Sequence, residues 1–202
     1  MLYASTAAVY GDNADFPVTE QSNSDRPLSL YAATKKANEV MAHSYASMYA
    51  LPVTGLRFFT VYGPWGRPDM ALYKFTDSIM GGLCLNIHNN GNHTRDLIYI
   101  DDLVDAILAA LEKPPSADQQ IPHKIYNIGN QKAIGLLEMI ENLEQQLGRK
   151  TAHKLLPRQV GEIKDNQADT TLFFQQFGFK PQVDFKQGLK KFVEWYRQYH
   201  SV

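Results

Sequence analysis

A single cysteine, Cys84, occurs among the 202 residues. One thiol forms no internal disulfide and falls far short of a zinc set, which excludes a cysteine-stapled or zinc-organised fold. An excess of either charge is also missing: Lys+Arg 20 against Asp+Glu 21 gives a formal net charge of −1. The basic face or arm of a nucleic-acid binder is therefore not seen. No apolar run approaches the ~20 residues of a membrane span. The N-terminus lacks the basic start, apolar centre and small-residue cleavage site of a signal peptide. Among the six histidines there is no metal-ligand spacing, and His88 and His93, flanking a turn, read as a solvated loop. What is present is 44% hydrophobic and 11% aromatic content, incompatible with a disordered chain. A chain of this length can bury on the order of 70% of its unfolded surface in one core. The composition points to a cytoplasmic globular domain with no metal, nucleic-acid or membrane partner.

Short apolar runs alternate with helical periods. Leu2-Tyr3-Ala4-Ser5 reads as the end of a buried strand with almost nothing before it. From Tyr31 to about Tyr49, apolar residues at Ala37, Val40, Met41, Tyr45 and Met48 follow the spacing of an amphipathic helix, which Pro52 stops. Val53 to Val61 is a largely apolar run suited to a parallel strand buried on both faces. A loop is expected at Gly63–Pro68 and a helix near Ala71–Met80. Asn89 to Asn92 mark a turn between strand-like runs at Leu85–His88 and Asp96–Ile100. Asp101 or Asp102 can cap a helix carrying Leu103, Ile107 and Leu111. Beyond these lie a strand at Ile125–Ile128, a helix at about Leu136–Leu147 closed by Gly148, and a last helix from about Phe185 to Tyr199. This alternation argues an α/β domain around a mainly parallel sheet.

Tyr31 and Lys35 lie four residues apart at a helix start, on one face. An ammonium beside a phenol favours the ionised phenol, yet chance alone supplies about one such pair in a chain of this composition. The pair gains meaning from its company. Ser5-Thr6-Ala7-Ala8-Val9-Tyr10-Gly11 places two hydroxyls at the end of a strand, where open α/β sheets bind ligands. Then follow Tyr31-Ala-Ala-Thr-Lys35, the run Leu56–Pro64 (LRFFTVYGP), and Gly91–Asp102 (GNHTRDLIYIDD).

In this order and spacing the chain resembles the extended short-chain dehydrogenase/reductase family, within it the nucleotide-sugar epimerases. Arg57–Met70, RFFTVYGPWGRPDM, looks most like UDP-glucuronate 4-epimerases. The resemblance runs from Leu2 to about Tyr196. It implies the C-terminal part of a Rossmann-like doubly wound parallel sheet plus a small α/β substrate-binding lobe. Residues 1–62 and about 101–130 would belong to the Rossmann-like part, and about 63–100 and 131–202 to the nucleotide-sugar lobe. Roles carry over residue by residue. Thr6 matches the hydroxyl that bonds the reacting sugar hydroxyl, and Tyr31 the acid/base that takes its proton. Lys35 matches the residue that favours ionisation of that tyrosine and holds the nicotinamide ribose of NAD. Phe59 matches an apolar neighbour of the nicotinamide. Arg95 matches the diphosphate clamp, and Thr60 and Arg67 match positions that meet a sugar carboxylate. Glu162, in Gln159-Val160-Gly161-Glu162, stands where the family has Asp in a Pro-Gly-Asp signature.

The expected activity is NAD-dependent epimerisation at C4 of a UDP-sugar, UDP-glucuronate to UDP-galacturonate, through a 4-keto intermediate. Relatives that dehydrate or decarboxylate the sugar place an acid after the catalytic Ser/Thr, where this chain has Ala7 and Ala8. A UDP-glucose/UDP-galactose 4-epimerase would share the catalytic pair, and Arg67 is the discriminator. The helix after Tyr31 is compatible with a homodimer and equally with internal packing. The family's glycine-rich NAD turn, G-x-G-x-x-G, has no counterpart, since Gly81-Gly82 ends a helix instead of opening one. The expectation is therefore a chain without the first four strands, whose alternative reading is a non-catalytic remnant that at most binds a nucleotide sugar or a partner. Exposed sheet edges and faces lead to an expectation of self-association or a loosened core.

Overall fold

The computed structural model describes residues 1–12, 15–116, 118, 120–159 and 163–202. In chain order the elements are β1 (Leu2–Thr6), α1 (Leu30–Tyr49), β2 (Val53–Phe58), β3 (Thr60–Tyr62), α2 (Ala71–Met80), β4 (Leu85–Ile87), β5 (Thr94–Tyr99) and α3 (Ile100–Glu112). They continue as β6 (His123–Ile128), β7 (Ala133–Gly135), α4 (Leu136–Leu147), β8 (His153–Leu155), α5 (Thr171–Phe177) and α6 (Phe185–His200). Among the described residues no helix is long and apolar enough to cross a membrane. The architecture is the α/β arrangement that the alternation of elements foretold, in the Rossmann-like form that the resemblance implies.

The first sheet is parallel, in the order β1-β2-β6, with Thr6 opposite Phe58 and Phe58 opposite Ile128. Successive strand residues face opposite sides, and parity decides what each one meets. On one face Leu2, Leu56 and Phe58 pack with Leu103 and Ala106 of α3 and Phe173 of α5. On the other, Ser5 and Arg57 reach Glu39 of α1, and Val53 packs against Ala42 and Ala46. Helices on both faces bury β2 almost throughout, as a central parallel strand requires.

Two expectations change and one open alternative is decided. The run Val53–Val61 is not one strand: Phe59 donates its N–H to Ile128 O at 2.9 Å, and the chain then leaves for a second sheet, β3-β5-β7. The apolar stripe of α1, compatible by sequence with a homodimer and equally with internal packing, faces outward, with Val40, Met41, Tyr45 and Met48 exposed. What α1 buries is Ala32, Glu39, Ala42 and Ala46, because small side chains let a helix approach a sheet closely. Neither Asp101 nor Asp102 caps α3, which begins at Ile100 without a side-chain cap. The Asp102 carboxylate accepts the N–H groups of Gln182 and Val183 at 2.9 and 3.0 Å, tying α3 to the segment before α6.

The second sheet pairs β3 parallel and β7 antiparallel with β5, and β4 with β8 forms a separate parallel pair. Their apolar side packs into a core with α2, α4 and α6, built on Leu85, Ile87, Leu97, Leu143, Leu189 and Phe192. The helices there lie close to their expected bounds, and Gly148 closes α4 at φ 68°. Strands β7 and β8 and helix α5 were not anticipated; the strands have three residues each, too short for a periodic signal.

Candidate active site

The C-terminal ends of β1 and β2, the start of α1 and the loop after β3 enclose a cleft of about 820 Å³. Thr6, Tyr31, Lys35, Phe59, Thr60, Arg67 and Arg95 all line it, although the sequence scatters them over 90 positions. Glu162 lies outside the described residues.

Thr6 ends β1 and caps the single 3-10 turn that follows, its Oγ1 accepting from Ala8 N at 3.2 Å. Accepting that bond leaves the hydroxyl its own proton to donate. Ala7 and Ala8 line the cleft beside it and bring no carboxyl to that wall. Tyr31 is the second residue of α1, whose start is capped by Ser29 Oγ accepting from Ala32 N at 3.2 Å. Tyr31 is 54% exposed. One helical turn on, the Lys35 ammonium lies 5.9 Å from the centre of the Tyr31 ring and donates to Ala4 O of β1 at 3.1 Å. A cation thus bridges the strand end and the phenol. Phe59 is buried at the floor, its ring 6.5 Å from that of Tyr10.

The opposite wall is cationic. Arg67 donates Nε–H to Asp69 Oδ1 at 2.9 Å and makes a second bond to Asp69 Oδ2. The Asp69 carboxylate, and to a lesser extent the Tyr31 phenol, push the exposed Arg67 guanidinium above its ordinary pKa. Arg95, on β5, holds the carbonyls of Ile163 at 2.6 Å and Lys164 at 2.8 Å. It also lines a second cavity, of about 530 Å³, that shares Thr60, Tyr62 and Met70 with the first. His88 and His93 line this second cavity. His93 is buried, with Nδ1 3.2 Å from Lys164 O, so the solvated-loop reading does not hold for it. The Lys164 carbonyl that its ring meets lies 71 positions away, a contact with no local sequence signal.

A buried ionic network behind the cleft was missed. Glu39 accepts both Arg57 Nε–H and an Arg57 terminal N–H at 2.8 Å, and Ser5 Oγ–H at 2.6 Å. Arg57 also donates to Tyr10 Oη at 2.9 Å, and Tyr10 donates to Asn127 Oδ1 at 2.6 Å. Glu39 and Arg57 are each 3% exposed. Burial opposes the Glu39 charge, but the Arg57 hydrogen bonds prevail and hold its carboxyl below its ordinary pKa. For Tyr10, burial outweighs Arg57 and pushes the phenol up to about 12. The network joins α1 to the residues beside Thr6 and Phe58. Its signal was Glu39 itself, a carboxylate eight residues after Tyr31 on the alanine face of the helix.

Comparison with known proteins fits this geometry. A family profile described as the NAD dependent epimerase/dehydratase family matches residues 1–129. Protein CapI of Staphylococcus aureus is 44% identical over 213 residues, covering 100% of this chain and 64% of that protein. A probable UDP-glucuronate 4-epimerase of Rhizobium meliloti is 42% identical over 211 residues, 98% of this chain and 62% of that protein. The crystal structure of UDP-glucuronic acid 4-epimerase from Bacillus cereus, in complex with UDP-glucuronic acid and NAD, superposes with a TM-score of 0.89 at 32% identity. The match covers 98% of this chain and 61% of that one. The chain thus spans less than two thirds of the length of each of these relatives.

Proposed function

We propose, on the premise that this chain belongs to the NAD dependent epimerase/dehydratase family, that its cleft serves inversion at C4 of UDP-glucuronate to give UDP-galacturonate. The observation that carries this reading is the meeting of Thr6, Tyr31 and Lys35 with Arg67 across one cleft, beside two alanines. Crystallised and curated relatives with that activity support the choice of sugar.

The residues present suit the nicotinamide end of NAD. Phe59 offers a flat apolar surface, and Tyr31 with Lys35 offers polar groups to a ribose at the end of β1. When bound, NAD supplies reversible oxidation at C4 of the sugar, giving a 4-keto intermediate. The protein orients the ring and moves one proton. Tyr31 Oη takes the proton of the C4 hydroxyl and later returns it. Thr6 Oγ bonds the same hydroxyl and fixes its direction. The Lys35 ammonium, held on Ala4 O, stands over the Tyr31 ring and is placed to hold the ribose beside it. With alanine at positions 7 and 8, no acid stands there to expel water, so the keto sugar returns as an alcohol. Arg67 and Thr60 meet the carboxylate, and the Arg95 guanidinium, held in place by the carbonyls of Ile163 and Lys164, brings its charge to the diphosphate between the two cavities.

In this reading residues 1–62 and about 101–130 serve the cofactor, and about 63–100 and 131–202 the nucleotide sugar. The outward face of α1 pairs two copies of the chain. The test is turnover of UDP-glucuronate and UDP-glucose with NAD, followed by chromatography of the epimers. Arg67→Ala is expected to cut kcat/KM for the uronate at least tenfold more than for the hexose, because a charge-assisted pair is lost only there. Equal losses on both sugars refute the carboxylate role. UDP-sugar binding without NAD affinity selects instead a sugar-nucleotide-binding module, as the shared position of Arg95 on both cavities would allow.

A further inference from the structure

The loop that carries Arg67, residues 63–70, has an unfavourable backbone. Gly63 sits at φ 144°, and a Cβ there would lie 2.5 Å from Ile100 Cγ2, so only glycine fits. Trp65 has φ 62°, a left-handed conformation that bulky residues adopt only where their surroundings hold them. Backbone bonds from Gly66 N to Gly63 O at 3.2 Å and from Met70 N to Arg67 O at 3.1 Å close the loop on itself. Neither anchors it to the rest of the fold.

The anchor is aromatic and comes from the last helix. The Trp65 ring centre lies 5.5 Å from that of Trp195 and 5.3 Å from that of Tyr199, meeting the latter edge-on at 75°. Trp195 and Tyr199, one turn apart on α6, stack on each other at 5.4 Å. Trp195 continues into the core through Tyr73 and Phe192. Trp65 is nevertheless 75% exposed, so these ring contacts are its main hold on the protein. Their spacing and tilt are those at which aromatic pairs attract.

We infer that Trp65, Trp195 and Tyr199 form a positioning clamp that fixes the loop so that Arg67 faces the cleft, and that α6 thereby sets selectivity for an acidic sugar. The inference rests on the carboxylate role given to Arg67 under the proposed function. A left-handed tryptophan relaxes when its stack is removed, and Arg67, two residues on, moves with it. Guanidinium recognition of a carboxylate is directional, whereas a neutral sugar needs no such partner. The clamp therefore acts on discrimination between sugars.

Both tryptophans of the chain belong to the clamp, so tryptophan emission reports on it directly. The test is calorimetric titration of the full chain with UDP-glucuronate and UDP-glucose, in the wild type, Tyr199→Ala and Tyr199→Phe. Tyr199→Ala is expected to shift tryptophan emission and to weaken UDP-glucuronate binding about fivefold, the scale of one aromatic pair, with UDP-glucose within twofold. Tyr199→Phe is expected to restore both, because the contact uses the ring and not the hydroxyl. Unchanged emission in Tyr199→Ala, an unchanged preference, or equal loss for both sugars overturns the clamp. A wild type that does not prefer the uronate overturns the functional reading, and the clamp with it, whereas a preference that survives Tyr199→Ala overturns the clamp alone.

Discussion

Asp96, next to Arg95 on β5, is fully buried and accepts backbone N–H groups of Asn130 at 2.6 Å and Ala168 at 2.9 Å. Burial nonetheless dominates and pushes its carboxyl up to about 6. A raised folded value means that the folded chain holds the proton more tightly than the unfolded chain. That contribution to stability is complete below about pH 4 and is lost as pH rises through about 6. Asp96→Asn cannot titrate, so the wild type should gain about 2 kcal/mol relative to it on going from pH 7.5 to pH 4.5. Urea unfolding at the two pH values measures this, and a constant difference would show that Asp96 does not titrate in this range. At the residue scale the sequence was most informative where motifs are contiguous. Thr6, Tyr31, Lys35, Phe59, Thr60, Arg67 and Arg95 were named from the family resemblance that those motifs carry, and the fold gathers them on one cleft. Glu39 and Arg57 were not named, because their pairing spans 18 positions and two different elements.

At the scale of the element, α1 shows what periodicity can and cannot tell. The spacing gave the helix nearly to its ends, but left open whether the larger apolar residues face inward or a second copy. The sheet takes the alanine face instead, and Glu39 goes in with it. A buried carboxylate is tolerated because Arg57 and Ser5 satisfy it. Removing one partner leaves the other charge buried and alone, so Glu39→Ala should destabilise the chain by about 3–5 kcal/mol. Replacing both, Glu39→Met with Arg57→Met, should cost much less, since apolar pairs of similar volume often replace buried ion pairs at little expense. Denaturant unfolding of the three chains decides it. If the double variant is as unstable as Glu39→Ala, the loss comes from packing and not from an orphaned charge.

For the molecule as a whole, the surface to test is the outer face of α1, given above to the pairing of two copies. Val40, Met41, Tyr45 and Met48 are exposed there, Met48 at 71%, and β1 forms an edge of the described sheet. A contiguous apolar face of this kind marks an interaction surface. Sedimentation velocity is expected to show a concentration-dependent dimer. Val40→Glu with Met48→Glu should return it to monomer, with an unfolding midpoint that no longer rises with concentration and matches that of the dilute wild type. A wild type that stays monomeric at every concentration would remove α1 as the pairing surface.

The sequence by itself determined the α/β class and the main helices, because each depends on neighbours within a turn or two of the chain, and its contiguous motifs carried the resemblance from which the candidate residues came. The absence of cysteine pairs, of charge excess and of long apolar runs narrowed the class further. Only the tertiary structure decided which face of α1 is buried, where Val53–Val61 divides between two sheets, and that His93 lies inside. It also brought Arg57 to Glu39 and Trp65 to the last helix. These outcomes turn on which surfaces meet, and hydrophobic burial is non-directional. A local pattern shows that a face is apolar, while close packing against a particular neighbour decides which face goes in.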